Sequence, residues 1–157
     1  STPSNSSAAS DVYKRQGWDE TNFKRFCVWG KFKDSKTQKE FYLFETHMPL
    51  ADNARKHACQ MLVDAVSDKA KDNTPAFCTG DFNATPDAPE IATTICQSGI
   101  LKDAYREAAV QHGALFTFPS KKTRIDFIFV KHATVLSTRT IVSSLSDHYP
   151  MVIVVEI

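Results

Sequence analysis

Thr123-Arg124-Ile125-Asp126-Phe127-Ile128-Phe129-Val130 is the stretch on which the fold turns. Its β-branched and aromatic residues are strand formers. Ile125, Phe127 and Phe129 share one face, and Asp126 projects from the other beside Ile128 and Val130. An ionised carboxylate among apolar neighbours is costly unless it has a partner or a cation. This strand is therefore expected to enter a core and to give its acid either a basic partner or a cation.

Further strands and helices extend outward from it. Thr134 to Val142 reads as the next strand and Ser143 to His148 as a polar loop. Tyr149 to Ile157 is apolar on both faces, which predicts a strand that is central or covered on both sides. Upstream, Phe23 to Phe32 and Glu40 to Thr46 read as a hairpin about the polar turn Asp34–Gln38. Asp52 or Asn53 is expected to N-cap a helix reaching about Lys69, with Ala54, Ala58, Met61, Leu62, Ala65 and Val66 inward. Ala76 to Thr79 is a short strand and Gly80–Asn83 the loop at its end. A second helix is expected with Asp87 as N-cap, Pro89 in its first turn and Gly99 as its C-terminal stop. Leu101 to Ala109 reads as a short helix. The order β-β-α-β-α-(α)-β-β-β defines an α/β layered domain, without internal repeats.

Composition sets outer limits. The chain has 157 residues, enough for one domain with its own core. Apolar residues make up 42% and charged residues 24%, as in a soluble globular protein, which excludes global disorder, collagen-like and coiled-coil classes. Nineteen Lys+Arg stand against 18 Asp+Glu, a formal net charge of +1, so nothing in the charge balance favours nucleic acid or an acidic membrane. No apolar run reaches the roughly 18–20 residues of a membrane span. Cys27, Cys59, Cys78 and Cys96 form no CxxC pair and read as reduced, mostly buried thiols.

Residues 1–16 read STPSNSSAASDVYKRQ. They hold no apolar h-region of a signal peptide, and their low complexity predicts a disordered tail. The piece DVYKRQ resembles adaptor-derived sequence at the ends of gene fragments assembled from environmental DNA. Residues 1–16 are accordingly expected to be non-native and order to begin near Gly17. The compartment is left open.

Chemistry-bearing residues gather at strand ends: Glu45-Thr46-His47, Gly80-Asp81-Phe82-Asn83 and Ser146-Asp147-His148, with Asp126 as a fourth acid. Taken singly, each has an ordinary reading. His47 suits a strand end and Asp81 a turn. Asp126 could pair with Arg124 or Lys122, and Asp147 could cap the following strand. Asn83-Ala84-Thr85 formally matches a glycosylation sequon. Converging at one sheet edge, however, they would form a hard-oxygen cation site beside an acid/base pair, which is equipment for hydrolysing a phosphate ester.

Together the segments resemble the endonuclease/exonuclease/phosphatase superfamily, metal-dependent phosphoesterases related to pancreatic deoxyribonuclease and to abasic-site endonucleases. That superfamily carries strand-end motifs like THxx, GDFN, RIDF and SDHxP in this order. Here they are Thr46-His47-Met48-Pro49, Gly80-Asp81-Phe82-Asn83, Arg124-Ile125-Asp126-Phe127 and Ser146-Asp147-His148-Tyr149-Pro150. Gly17-Trp18-Asp19 and Cys27-Val28-Trp29 resemble its bacterial branch, so the resemblance covers residues 17–157. It implies a partial four-layer α/β/β/α sandwich of the deoxyribonuclease I-like type, and hydrolysis of a phosphomonoester or phosphodiester with Mg²⁺, or alternatively Mn²⁺. His148 would be the general base and Asp126 its orienting partner, the two side chains within roughly 2.6–3.2 Å. Asp147 would bind metal. Asp81 and Asn83 would position the phosphate, the nucleophile or a second metal, and His47 would donate to the phosphate oxygens. The substrate could be nucleic acid, a nucleotide, a phospholipid head group or a sugar phosphate; no obligate protein partner is indicated.

Three departures stand out. The superfamily opens with a strand carrying Asn and another ending in a metal-binding Glu, and no segment before His47 offers that pattern. The chain is therefore expected to be the C-terminal part of such a domain, missing its N-terminal portion and weak or inactive alone. Glu45 stands where the motif usually has Asn, and Met48-Pro49 replaces the usual apolar-acidic continuation. The alternatives are a non-catalytic binding module of the same fold and a purely structural fragment.

Overall fold

The computed structural model describes Asp11–Val12 and residues 25–157. The rest of the expected tail, the Gly17-Trp18-Asp19 motif and the expected strand start at Phe23 lie outside the described residues. Strand β1 (Asp11–Val12) pairs antiparallel with Cys27 and Phe26 of β2 (Phe26–Lys33). For these two residues the expectation of an unstructured tail is corrected: the edge of β2 offers unpaired backbone groups that a short segment can satisfy.

β2 and β3 (Glu40–His47) form the expected hairpin, with Cys27 opposite Thr46 and Lys33 opposite Glu40. β3 then runs parallel to β4 (Ala76–Asp81), across the connection made by helix α1 (Asp52–Lys69). β4 pairs antiparallel with β7 (Asp126–Lys131), whose far edge carries β5 (Lys102–Asp103). The six-stranded sheet has the order β1-β2-β3-β4-β7-β5. A three-stranded sheet, order β6-β8-β9, is built from β6 (Val110–Gly113), β8 (Thr134–Thr140) and β9 (Met151–Glu156).

The pleat sorts the six-stranded sheet into two faces. Phe44, Cys78, Phe127 and Phe129 point to one side and pack with Leu62, Val66, Ile91 and Ile95 from the helical layer. Phe77, Ile128 and Val130 point to the other and meet Val135, Ile153 and Val155 of the small sheet. Helices, large sheet and small sheet are thus consecutive layers of an α+β sandwich, each closing one apolar face of the next.

Several local expectations are corrected. Ala51, not Asp52 or Asn53, is the N-cap of α1 and makes no side-chain cap bond; Asp52 lies in the first turn, where an acid suits the helix dipole. Cys59 and Val63 are buried on α1, whereas Met61 is exposed. The second helix is a single π-helical segment, Glu90–Ile95, with Pro89 at its N-cap. Asp87 caps nothing and instead faces Arg106 at 3.5 Å. The helix expected over Leu101–Ala109 shrinks to β5 and α2 (Ala104–Glu107), because Asp103 caps the Tyr105 N–H and fixes the helix start there. The sequence predicts cover on both faces of β9. Among the described residues it pairs only with β8, and Val152 and Val154 on its outer face are 47% and 52% exposed.

Candidate active site

Strand register assembles the site. His47, the last residue of β3, is the partner of Asp81 at the end of β4, and Asp81 is the partner of Asp126 at the start of β7. The three lie side by side in one row, on the face that looks toward the small sheet. The next row back is Glu45, Thr79 and Ile128. An open cleft of about 550 Å³ runs along this face, lined by Glu45, Asp81, Asp126, His148 and Tyr149 among others.

Gly80 makes the row possible. Its φ of +143° is one that side chains rarely adopt, and a Cβ there would overlap the carbonyl oxygen of Thr46. The close approach brings the β3 and β4 ends together. Beyond β4 the chain turns on Asn83, in the left-handed region at φ +49°. The Asp81 carboxylate accepts the Asn83 N–H at 2.8 Å, an Asx turn that Asn and Asp tolerate well. The Asn83 side-chain amide donates to the Met48 carbonyl at 2.9 Å, and the Met48 N–H donates to the Asp81 carbonyl at 2.8 Å. Loop 48–50 and loop 82–83 are thereby locked to each other.

Asp126 Oδ2 and His148 Nδ1 lie 2.8 Å apart, the contact expected from sequence. Arg124 does not compete for Asp126: it forms a buried fork to Asp103, with bonds of 2.6 and 3.1 Å. An ionised carboxylate only accepts, so neutral His148 carries its proton on Nδ1 and presents a bare Nε2. Burial alone lowers the His148 pKa. The Asp126 hydrogen bond and the charges of Asp126, Asp81 and Asp147 outweigh it, and the net shift is upward. On the opposite flank, His47 Nε2 approaches Asp81 Oδ2 at 3.5 Å, with His47 largely exposed.

Asp81, Asp126 and His148 offer ligand atoms all within 4.8 Å of one another. Asp147, expected as a metal ligand, is exposed on the loop beside them and accepts a 3.4 Å bond from Ser146 Oγ; it is outside that trio. Glu45 lines the cleft and accepts the Thr79 hydroxyl. The donor set is hard: two to three carboxylates at a solvent-open cleft suit a small divalent cation that retains water and substrate oxygens.

Two supporting groups escaped the sequence reading. Arg55 is buried on α1 and donates to Glu90 at 2.5 Å, to the Leu50 carbonyl at 2.7 Å and to Asp52 at 2.6 Å. It clamps the loop that follows His47. Thr117, fully buried, accepts the N–H groups of Ile125 and Asp126, both at 3.1 Å. A charged residue inside an apolar helical face is a signal for the first; nothing in the sequence marks the second.

His47, Asp81 and Asp126 thus stand in one row across mixed strands of an α+β sandwich, with His148 reaching Asp126 from a loop. The sequence matches the Endonuclease/Exonuclease/phosphatase family over residues 10–148, and the chain belongs to that family. Among solved structures it resembles an endonuclease/exonuclease/phosphatase from Bacteroides vulgatus (29% identity, TM-score 0.85, covering 95% of this chain and 64% of that one). It also resembles the mannosyl-6-phosphatase of Bacteroides thetaiotaomicron (24% identity, TM-score 0.84, covering 96% and 66%). The D. rerio TDP2 complexed with single-strand DNA product shares the fold at 14% identity and TM-score 0.71, with 95% of this chain and 67% of that one covered. This chain thus spans just under two thirds of the two bacterial proteins. No curated protein matches it.

Proposed function

We propose that the domain to which this chain belongs hydrolyses a phosphate ester with water activated by the Asp126–His148 pair, this chain by itself turning over slowly. The observation that carries this is the 2.8 Å contact between Asp126 and His148 within a cluster that also holds Asp81. Asp126 fixes the imidazole so that Nε2 faces the cleft as a general base, a role that contributes about 10²–10⁴-fold in such reactions. His47 stands across Asp81 and donates to a non-bridging phosphate oxygen as charge develops there. Asp81 and Asn83 hold the two loops around the phosphate.

Asp81, Asn83 on the turn that follows it and Asp147 on the loop that carries His148 are the residues proposed to hold Mg²⁺ or Mn²⁺. A bound cation would neutralise charge on the phosphoryl oxygens. The fold is shared by a sugar-phosphate phosphatase and by a protein complexed with a DNA product. The proposed substrate class is accordingly broad: sugar phosphate, nucleotide, nucleic acid or phospholipid head group.

The test is hydrolysis of a phosphomonoester and a phosphodiester chromogenic substrate with and without Mg²⁺, by the parent chain and by His148→Asn and Asp126→Asn. The reading expects cation-dependent turnover of at least one ester, reduced about 10²–10⁴-fold by His148→Asn. Equal residual rates in all three proteins would remove the mechanism.

A further inference from the structure

The segment Phe116–Phe118 meets the backbone of Asp126, the ring of His148 and the residue that follows it. Thr117 is fully buried. Its Oγ1 accepts two backbone donors, Ile125 N–H and Asp126 N–H, both at 3.1 Å. Its carbonyl accepts the Tyr149 N–H at 2.7 Å, and Tyr149 directly follows His148. Its own N–H donates to the Thr123 carbonyl at 3.1 Å, and the Phe118 N–H donates to the same oxygen at 2.9 Å. The two flanking rings complete the grip. Phe118 lies against the His148 imidazole with centroids 4.9 Å apart, and Phe116 stacks on Tyr149 at 5.9 Å.

The need for this arrangement follows from the sheet. β5 covers β7 only at Phe129 and Val130, so among the described residues the Asp126 end of β7 has no strand on that side. Buried backbone N–H groups must find acceptors. A hydroxyl has two lone pairs and can serve two donors at once, which a valine of the same shape cannot. Asp126 and His148 come from separate segments, and their contact is only as well set as the two backbones beneath it. One residue bonds both backbones: Asp126 through its side chain, Tyr149 through its carbonyl.

We propose that Thr117 is a positioning residue for the Asp126–His148 pair, with Phe118 holding the imidazole plane. This rests on the catalytic reading of that pair, and it makes Thr117 a determinant of rate that touches no substrate.

The experiment compares the parent chain with Thr117→Val, Thr117→Ser and Phe118→Leu in cation-free buffer and in turnover. The His148 tautomer is read from imidazole ¹⁵N shifts, and the Ile125 and Asp126 amides are followed by hydrogen exchange. The expected result is a fixed Nδ1–H tautomer and protected amides in the parent chain and in Thr117→Ser. Thr117→Val loses protection at both amides and mixes tautomers. Its kcat falls about 10–100-fold while KM stays within about twofold, and Thr117→Ser restores it. Unchanged tautomer and kcat in Thr117→Val overturn the proposal, as does Thr117→Ser behaving like Thr117→Val. If Thr117→Val does not fold, Phe118→Leu decides, since it must mix the tautomers while keeping the Asp126 amide protected. If the parent chain hydrolyses no ester, tautomer and exchange still decide the positioning role, and the phosphoester reading alone falls.

Discussion

Asp81 and Asp126 are direct partners across the antiparallel β4–β7 ladder, two acids set side by side at the mouth of one cleft. Like charges directly opposite each other in a sheet are destabilising, by roughly 0.2–1 kcal/mol. The fold answers with a histidine on each flank, His47 against Asp81 and His148 against Asp126. A sheet optimised for stability alone would not place two carboxylates there. The arrangement fits the proposed cation site, where a bound cation would offset the two like charges.

Divalent cation should therefore stabilise the fold. Two to three carboxylates and an open cleft predict weak, millimolar rather than micromolar, Mg²⁺ binding. Saturating Mg²⁺ should raise the melting temperature, and Asp81→Asn should abolish that rise while leaving the cation-free protein as stable or up to about 1 kcal/mol more so. Differential scanning fluorimetry across a Mg²⁺ series checks both. Tight, low-micromolar binding by titration calorimetry would mean that the ligand set is different.

The strand-end motifs were readable because each is contiguous in sequence and marked by polar residues against apolar strands. Their convergence was not readable from spacing: it comes from the parallel β3–β4 and antiparallel β4–β7 registers. What the sequence hid most completely were the supports. Thr117 is one small residue in a loop, and its two accepted bonds exist only because β5 is too short to cover the start of β7. β5 and β6 were missed, and the second helix was read as longer than Glu90–Ile95, because pairing partners and tertiary packing, not local propensity, define short elements. Residues Tyr149–Ile157 misled in the other direction: apolarity on both faces predicted cover, and the described residues leave one face open.

His148 makes a pH prediction. Its pKa lies above the ordinary 6.5: burial works against this, and the Asp126 bond with the neighbouring acids prevails. A raised value means that folding favours the protonated form. The stability this contributes is full below the unfolded pKa near 6.5 and is lost as pH rises through the higher folded value. Catalysis runs the other way, since the base must be neutral, so the rate should climb with pH through an apparent pKa above 6.5 in low cation. Bound cation opposes the acids and should move that limb to lower pH. Denaturant midpoints and pH–rate profiles, each repeated on His148→Asn, measure the two limbs. A denaturation midpoint equally pH-dependent in the variant would assign the effect to another group.

The cysteines should differ in reactivity by position. Burial pushes the Cys59 thiol up to about 12, aided by Glu90, and holds Cys78 well above its usual range. Cys27 is buried as well, and only Cys96 is half-exposed, although burial and Asp103 raise its pKa too. The thiolate is the reactive form, so iodoacetamide at about pH 8 should label Cys96 first and slowly, with the other three reacting on unfolding. Peptide mass spectrometry over a time course reads the order. Early labelling of Cys59 or Cys78 would show that the α1–sheet core opens far more readily than its packing implies.

The edge of β9 sets the last expectation. Among the described residues its outer edge has no pairing strand, and Val152 and Val154 stand about half exposed on a strand with a single acid at its end. Unpaired, apolar, uncharged edges recruit other strands, and exposed apolar patches add to the attraction. Phe26, Val28 and Phe32 leave a second apolar surface open on β2. The purified chain should therefore self-associate with rising concentration and unfold with low cooperativity. Val152→Lys with Val154→Lys should shift it toward monomer without loss of helix signal, because both side chains already face solvent. Sedimentation velocity over a concentration series, with circular dichroism on the same samples, distinguishes the cases. A parent chain that stays monomeric at every concentration would show that the open edge is protected, and that β9 needs no further cover.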